Sequence, residues 1–400
     1  MKVSHLKEKL KIFYTIFVAA PKNWKLPKHS EVLTYDACGQ EELAPYLNKY
    51  QVSTLAVRGE SINVPCLLLA MLKPEFWKGK LLCAYAEAFI QAVSPKVVIT
   101  FIDNNPNFYK ISRRFPNVKT IFVQNGIRGG GSDVLYALTK HDEYYVDYML
   151  VFCAAFGKEF KKSVSGMFMA IGSLKNNTVK KSVNVVEGSI LYISQYRDRP
   201  KNNSPFGFSS RGAPISYDQF YSADVQAVKF LGKWCAKNSK RLLICGTSMD
   251  NNGPERNFYY NCLKECVWEF IPRSSIYSAY TMLDSAEIVV FIDSALGFES
   301  LGRKVKTASF STRRCILNDE SLKFGWPAEL PNSGPFWTSN QDETQFQRIM
   351  DYLNTVSDEE WEQTRQQYAS ELMDFDPGNT RLIALLDQLL PKSIMLSSSS

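Results

Sequence analysis

Short apolar segments rich in β-branched residues alternate along most of this chain with segments of helical periodicity. In the first half, the predicted strands are 31–35, 53–57, 96–102, 119–124, 148–152 and 167–171. The predicted helices between them are 41–49, 64–72, 80–92 and 156–164. This alternation is typical of parallel sheets joined by crossover helices, so the predicted fold class is α/β.

The same alternation starts again after a polar segment at 172–187, which we interpret as an interdomain linker. The second half contains predicted strands at 189–194, 241–245, 267–271, 287–292 and 306–310, and a long helix at 217–237. Because 400 residues exceed one ordinary core, we expect two sheet domains. The predicted divisions are a basic leader at 1–30, domains at 31–178 and 187–340, C-terminal helices at 341–392 and a disordered tail at 393–400.

The positive charge is concentrated at the N-terminus. Residues 1–30 contain seven lysines against Glu8, a balance of +6, which leaves +1 for the other residues. A nucleic-acid-binding protein usually spreads positive charge over a folded face, so we expect no nucleic-acid partner. An apolar run at 12–20 is too short to cross a bilayer. We predict peripheral contact of residues 1–28 with an anionic membrane, the alternative being an N-terminal helix packed on the domain.

Cysteine and histidine usage limits the chemistry. The nine cysteines are odd in number and include no Cys-x-x-Cys motif, which indicates reduced thiols in a cytoplasmic protein. The three histidines, His5, His29 and His141, all precede the second half, and no Asp-x-Asp motif follows a strand. A Ser-His-Asp hydrolase and a histidine metal site are therefore disfavoured, and we predict neither a metal nor a cofactor.

The strongest local signal is the segment 287–303. A buried strand is predicted to end at Asp293, and a helix to begin at Ser294. The free N–H groups and the dipole of such a helix start favour a phosphate. Gly297 would let a ligand approach closely, and Glu299 could accept hydrogen bonds from ribose hydroxyls. Ordinary N-capping by Asp293 or Ser294 is the alternative.

Two further strand ends in the second half could complete a nucleotide site, because ligands in such folds bind at the carboxyl ends of strands. Arg273, Ser274 and Ser275 follow the strand at 267–271, and Gly246 follows the strand at 241–245. Arg273 could pair with a phosphate. An ordinary surface arginine is the alternative.

Polar residues also follow the strands of the first half. They suit the hydroxyl groups of a sugar acceptor, and they are Glu60, Asn104, Asn105, Gln124, Asn125 and Arg128. The adjacent glycines at 129–131 lack the Lys-Ser/Thr of a P-loop, so we interpret them as a flexible loop or lid.

Because histidines are so few, acid–base or nucleophilic catalysis is expected to use carboxylates. Besides Glu60, the candidates are Asp103, Glu159 and Asp224. Glu159 is predicted in the first turn of its helix, and Asp224 lies on the apolar-faced helix 217–237. A carboxylate near a helix start can be a nucleophile or merely a charge favoured by the helix dipole.

Several of these segments resemble a bacterial family of surface-carbohydrate biosynthesis proteins, over about residues 31–370. The segments are 100–105, 124–128, 221–224, 293–299 and 324–327. Among characterised relatives, the resemblance is to the retaining β-Kdo transferase domains of lipopolysaccharide O-antigen and capsule assembly. The spacing of Ser294, Gly297 and Glu299 is also similar to the donor-phosphate motif of GT-B transferases that use CMP-activated sugars.

This resemblance implies a GT-B architecture, with two Rossmann-like doubly wound domains facing a cleft, working at the inner face of the cytoplasmic membrane. It implies a CMP-linked Kdo or related ulosonate donor on the second domain, with Ser294 on the phosphate and Arg273 and Glu299 supporting the nucleotide. It also implies a lipid-linked glycan acceptor on the first domain and attack by Asp224 on the anomeric carbon.

The chain departs from the CMP-sugar pattern because no His-Pro pair precedes the donor motif. A UDP-sugar or CDP-glycerol transferase, a sugar-nucleotide epimerase and a non-catalytic scaffold therefore stay open as alternatives.

Overall fold

The computed structural model describes residues 19–128, 143–182, 184–201, 204–209 and 212–391. The strands are β1 (Lys22–Asn23), β2 (Val32–Tyr35), β3 (Val52–Leu55), β4 (Ile62–Asn63), β5 (Val97–Thr100), β6 (Lys119–Val123), β7 (Tyr145–Val151), β8 (Ser165–Ala170), β9 (Val186–Ile193), β10 (Gly207–Phe208), β11 (Pro214–Ile215), β12 (Arg241–Cys245), β13 (Trp268–Ile271), β14 (Ala286–Phe291), β15 (Lys306–Phe310) and β16 (Trp337–Thr338).

The α-helices are α1 (Gln40–Leu47), α2 (Val64–Met71), α3 (Pro74–Trp77), α4 (Leu81–Val93), α5 (Ile111–Arg114), α6 (Ala154–Lys161), α7 (Leu174–Thr178), α8 (Tyr217–Lys237), α9 (Pro254–Cys262), α10 (Ser278–Ser285), α11 (Ala295–Gly302), α12 (Arg313–Leu317), α13 (Glu343–Thr355), α14 (Asp358–Leu372) and α15 (Thr380–Leu389). The basic leader up to residue 18, the glycines at 129–131 and the tail at 393–400 lie outside the described residues.

Two six-stranded sheets form the centre of the molecule. Their strand orders are β3-β2-β5-β6-β7-β8 and β13-β12-β9-β14-β15-β16, and neighbouring strands are parallel. Central strands such as β5 are buried on both faces, which explains their continuous apolar sequences. The predicted α/β class, with two Rossmann-like sheets in a GT-B arrangement, is confirmed.

The chain reverses its direction of progress across each sheet at one point. In the first sheet it builds β3 on one side of β2 and then β5 on the other, and in the second sheet β12 and β14 flank β9 in the same way. The carboxyl ends of the strands at such a switch point diverge and leave a crevice, where ligands bind in open α/β sheets. The fold thus indicates two places to examine, beside β2 and β5 and beside β9 and β14.

The first part of the polar segment that follows the first sheet, residues 172–177, is largely buried, whereas most of the described residues from 178 to 187 are exposed. Asn176 and Asn177 lie on α7 and are buried. The carbonyl and the side-chain oxygen of Asn176 accept hydrogen bonds from Arg303 Nη1 at 3.1 and 3.2 Å, and Asn177 Nδ2 donates to Asn379 Oδ1 at 2.9 Å. These asparagines are therefore polar because they join distant elements, and not because they lie in a solvated linker.

The last helix returns to the first sheet. Leu382, Leu385 and Leu386 of α15 share a core with Ile99 and Ile121 of β5 and β6. The preceding helix α13 packs on β15 of the second sheet, and α14 contacts both α11 of the second domain and α6 of the first. The C-terminal segment therefore joins the two sheets. No helix in the described part of the chain combines the length and apolarity that crossing a bilayer requires.

Candidate active site

The start of α11 lies at the switch point of the second sheet. Ser294 is its N-cap, and the Ser294 side chain makes no capping hydrogen bond. By contrast, the N-cap serines Ser216 and Ser357 each accept a hydrogen bond from the backbone three residues on. The Gly297 amide donates to the Ser294 carbonyl at 3.0 Å, so the first turn of α11 offers the two amides before Gly297 at the positive end of the helix dipole.

A completely buried arginine, Arg313, lies beside this helix start. It follows β15, and its Nη2 donates to Asp224 Oδ2 at 2.6 Å. Its Nη1 donates to Gln195 Oε1 at 2.9 Å and to the carboxylate of Asp293. The guanidinium also lies 3.9 Å from the centroid of the Phe220 ring. One cation thus joins the strand ends of β9, β14 and β15 to helix α8.

The two carboxylates that hold Arg313 differ in exposure. Asp224 has no exposed side-chain surface, and its Oδ1 accepts a hydrogen bond from Tyr192 Oη at 2.8 Å. Burial raises the pKa of Asp224 above its ordinary value, against the lowering effects of Arg313 and Tyr192. Asp293 is 20% exposed. In this conformation Asp293 therefore reaches the open edge of the sheet, whereas Asp224 lies behind Arg313.

The charge of Arg313 is secured by these neighbours. Burial alone would lower its pKa, but the adjacent Asp224 and Asp293 carboxylates raise the pKa above the ordinary arginine value. Arg313 therefore stays positively charged, and its guanidinium is held by hydrogen bonds to the two carboxylates.

Glu299 lies one turn into α11 and is almost fully buried. Its Oε2 accepts a hydrogen bond from Tyr280 Oη at 3.0 Å. Burial raises the pKa of Glu299, although Ser173, Tyr280 and the charges of Lys175 and Arg273 oppose the shift. Glu299 therefore lies where the segment between the sheets meets the second sheet.

Two predicted ligand glycines have a packing explanation. A Cβ atom on Gly297 would lie 2.1 Å from the ring of Phe291, and one on Gly246 would lie 2.6 Å from the ring of Phe270. Both glycines are buried. The prediction that Gly297 makes room for a ligand is therefore replaced by close packing of α11 on β14.

The two other predicted donor loops contact each other. Arg273 Nε donates to the carbonyl of Gly246 at 3.0 Å, and the Arg273 amide donates to the carbonyl of Ser248 at 2.9 Å. The amides of Thr247 and Ser248 donate to the buried carboxylate of Glu255. Because these amides are occupied, this loop contributes support for Arg273 in place of a phosphate cradle.

The serines after Arg273 are exposed and form a local turn. The amides of Ser274 and Ser275 donate to Ser278 Oγ at 3.1 and 3.3 Å. Their hydroxyl groups lie at the surface beside the carboxyl edge of the second sheet.

In the first sheet, the buried Asp103 forms an ion pair with the partly buried Arg128. Arg128 Nε donates to Asp103 Oδ2 at 2.8 Å, and Arg128 also donates to Asn125 Oδ1. Gln124 is buried, and its side chain accepts from the Phe152 amide and donates to a loop carbonyl, each at 2.9 Å. Gln124 therefore joins the ends of β6 and β7, while Asn125 and Arg128 stay partly accessible.

A groove of about 300 Å³ lies at the switch point of the first sheet. Asn104 and Asn105 line it, together with Asp36 and Arg58, whose Nε donates to Asp36 Oδ2 at 2.9 Å. Glu60 is exposed beside the groove, and its Oε2 accepts from the Arg58 amide at 3.0 Å. The structure thus brings two of the predicted acceptor residues, Asn104 and Asn105, to one groove and places Glu60 beside it.

Glu159 lies away from both clusters. Helix α6 begins at Ala154, two residues before the predicted start, so Glu159 falls in its second turn and not in its first. Its Oε2 is 2.6 Å from Lys162 Nζ. Because the helix starts earlier than predicted, Glu159 lies too far from its first turn for the helix dipole to favour a charge there.

Sequence reasoning missed Arg313, Tyr192 and Gln195. Arg313 could have been found by applying the strand-end rule to the predicted strand 306–310, which it follows by three residues. Its burial could not, because Asp224 is 89 residues away in the chain. Among the described residues, no group of three or more His, Cys, Asp or Glu side chains is arranged to hold a metal ion.

The sequence matches a protein-family model described as "putative O-antigen biosynthesis protein" over residues 121–390. A comparison with curated proteins gives no match.

The chain is also similar to several solved structures. A protein described as a "putative UDP-N-acetylglucosamine 2-epimerase" from Listeria monocytogenes is 12% identical, with a TM-score of 0.52 over 89% of this chain and 95% of its own. A glycosyltransferase from Rickettsia africae is 11% identical, with a TM-score of 0.49 over 92% of this chain and 100% of its own. The wall teichoic acid polymerase TagF is 9% identical, with a TM-score of 0.45 over 90% of this chain and 89% of its own.

Proposed function

The chain belongs to this family of O-antigen biosynthesis proteins, and from that premise we propose that it is a glycosyltransferase of surface-glycan assembly. It transfers a sugar from a nucleotide-activated donor to a lipid-linked glycan. The observation that carries this proposal is the uncapped start of α11 beside the partly exposed Asp293, at the switch point of the second sheet.

The donor phosphate is proposed to lie at the start of α11. Glycosyl transfer requires positive or N–H groups on the departing phosphate. The first-turn amides of α11 and the Ser294 hydroxyl supply them, with Arg273 close enough to interact electrostatically with Glu299 further along the same helix. Glu299 is assigned to the ribose hydroxyls. This arrangement stabilises the leaving group with groups of the chain itself.

We assign the reacting carboxylate to Asp293. An oxocarbenium-like transition state needs a carboxylate near the anomeric carbon, and Asp293 is the more exposed of the two carboxylates on Arg313. In the proposed retaining reaction, an Asp293 oxygen bonds to the anomeric carbon as the bond to the phosphate oxygen breaks. The acceptor hydroxyl then displaces Asp293 and loses its proton to solvent. Asp224 serves as a positioning residue through Arg313.

For the donor we propose a CMP-activated ulosonate such as Kdo. Support comes from the spacing of Ser294, Gly297 and Glu299, which resembles the motif of CMP-sugar transferases. Binding of CMP, CDP, UDP and GDP by calorimetry tests the proposal. Binding of CMP alone supports it, UDP or CDP alone would replace the donor, and binding of none would favour a scaffold.

The acceptor glycan is proposed to occupy the groove at Asn104 and Asn105, with Arg128 and Asn125 at the neighbouring strand end. The side-chain amides of Asn104 and Asn105 and the guanidinium of Arg58 can donate hydrogen bonds to glycan hydroxyl oxygens. Incubating the activated sugar with and without a lipid-linked acceptor separates transfer from epimerisation. An epimerised donor formed without acceptor would contradict the transferase proposal.

The Ser294→Ala variant tests the phosphate site directly. Loss of one hydrogen bond to a charged phosphate should weaken nucleotide binding by roughly 10- to 100-fold. Ser222→Ala is the matched control, because Ser222 Oγ donates only to a carbonyl of its own helix at 2.8 Å. Equal affinities of wild type and Ser294→Ala would remove Ser294 from the site.

Mass spectrometry tests the role of Asp293. Retention through Asp293 predicts that the peptide containing it gains the mass of the sugar when the acceptor is withheld. The Asp293→Asn variant should bind the nucleotide and give neither adduct nor product. An adduct on Asp224 would return the nucleophilic role to that residue.

A further inference from the structure

Helix α2 is apolar on both of its faces. Leu67 and Ala70 are buried against the first domain, whereas Leu68 and Leu69 are 59% and 44% exposed and Leu72, directly after the helix, is 81% exposed. A helix that is apolar all round is normally buried all round. Within the described part of the chain, the outer face of α2 is therefore left exposed although its composition suits burial.

Further exposed apolar side chains flank both ends of α2. Trp24 and Leu26 are 74% and 60% exposed, and they lie near its first turn, where Asn63 Nδ2 donates to the carbonyl of Lys25 at 2.8 Å. Trp77 is 71% exposed and donates from Nε1 to the last carbonyl of α2 at 2.8 Å. The α2 patch consists of Trp24, Leu26, Leu68, Leu69, Leu72 and Trp77.

Positive charge borders the α2 patch. Within the segments 22–28 and 73–80, the exposed charged residues are Lys25, Lys28, Lys78 and Lys80, and Glu75 is only half exposed. Apolar side chains with tryptophans at the margin and lysines around them match the interface of an anionic membrane. The long lysine stems can follow the apolar surface while the ammonium groups reach the headgroups.

Helix α4 connects the α2 patch to the groove at the switch point of the first sheet. Leu82, at the start of α4, is 43% exposed and lines that groove together with Asn104 and Asn105. Helix α4 packs on α2 and α3. The helix that contributes an exposed leucine to the groove therefore also packs on the helix that carries the patch.

We propose that the α2 patch docks on an anionic phospholipid bilayer and presents the groove to the membrane surface. Docking itself depends only on the patch. The consequence that a lipid-linked acceptor enters the groove from the bilayer rests on the proposed function. This surface is separate in sequence from residues 1–18.

Vesicle flotation of the full chain tests the docking. The wild type should float with vesicles of phosphatidylcholine containing phosphatidylglycerol, and far less with phosphatidylcholine alone. Leu69→Gln/Leu72→Gln should lower the partition coefficient on the order of tenfold or more, since two large apolar side chains leave the interface. Met249→Gln/Val267→Gln is the matched control, because those side chains are 66% and 90% exposed on the second domain.

Three results would overturn the proposal. The first is equal flotation of the wild type and Leu69→Gln/Leu72→Gln. The second is a lipid-free dimer that this variant dissociates, which would make the patch an interface between copies. The third is hydrogen-exchange protection of α2 that is lost on deleting residues 1–18, which would assign the patch to the N-terminal segment.

Nucleotide binding separates this proposal from the proposed function. CMP should bind the wild type and Leu69→Gln/Leu72→Gln equally, since the variant residues lie in the other domain. If no nucleotide binds the wild type but flotation follows the expected pattern, the proposed function fails and the docking surface stands.

Discussion

Replacing Arg313 with methionine tests the buried ion cluster for stability and for function at once. Arg313 and Asp224 are both completely buried, so among the described residues the variant leaves Asp224 with only the Tyr192 hydroxyl as a hydrogen-bond partner. Breaking a buried pair from one side typically costs about 3–5 kcal/mol of unfolding free energy. The stranded Asp224 carboxylate can escape part of this cost only by taking up a proton.

The free energy of protonating Asp224 gives a second measure of the expected destabilisation. Protonating a carboxyl group of ordinary pKa, about 3.9, costs about 4 kcal/mol at pH 7 and about 1.5 kcal/mol at pH 5. Replacing Arg313 removes a charge that opposes the effect of burial on Asp224, so the folded-state pKa of Asp224 rises further and the variant loses stability relative to the wild type as the pH rises from 5 to 7. The destabilisation should therefore be roughly 2–3 kcal/mol smaller at pH 5 than at pH 7.

Urea denaturation at the two pH values measures this effect. Adding Asp224→Asn to Arg313→Met should restore stability at pH 7, because it removes the stranded charge. Arg314→Met is the matched control: its partner Glu320 is largely exposed, so the loss should stay below about 1 kcal/mol. Equal destabilisation at both pH values, or a further loss in the double variant, would refute the reasoning.

Transfer activity separates the second role of Arg313. The double variant should regain stability without regaining transfer, because Asp293 has still lost the cation that orients it. Wild-type transfer by the double variant would show that Asp293 does not need Arg313.

Three further predictions follow from single contacts. Because burial raises the pKa of Glu299 in the folded state, wild-type stability should fall relative to Glu299→Gln as the pH rises from 5 to 8; a melting-temperature difference that is constant with pH would contradict this. Gly297→Ala should cost about 1–3 kcal/mol by overlap with Phe291, and Phe291→Leu should recover part of it in urea denaturation; an unaltered midpoint for Gly297→Ala would exclude the overlap. Asp284→Asn should cost about 3 kcal/mol, since Arg303 and Asp284 form a buried pair, and a loss below 1 kcal/mol would show that the asparagines of α7 suffice.

The sequence allowed the regular elements to be predicted where local patterns are clean. Helix α8 and the strands β12 and β15 have the predicted bounds. Strand β7 begins three residues earlier than predicted because Asp147 interrupts its apolar pattern. The Asp147 carboxylate accepts hydrogen bonds from Ser112 and Thr120, which only the folded neighbours supply.

The candidate site likewise has parts that the sequence predicts and parts that it does not. The strand-to-helix turn at Asp293 and Ser294 could be predicted because it directly follows the apolar segment 287–292 in the sequence. The segment at 172–187 was interpreted as a linker because its asparagines are polar, yet Asn176 and Asn177 are buried by contacts with Arg303 and Asn379. Composition identifies a polar side chain but not its partner.

The sequence by itself determined the alternation of strands and helices, the α/β class and the strand ends where a ligand site belongs, because periodicity and turn residues act over a few positions. Only the tertiary structure decided that α15 returns to the first sheet and that Arg313 seals Asp224 while Asp293 stays partly exposed. Burial and ion pairing depend on which distant elements pack together. A local sequence pattern does not show which elements those are.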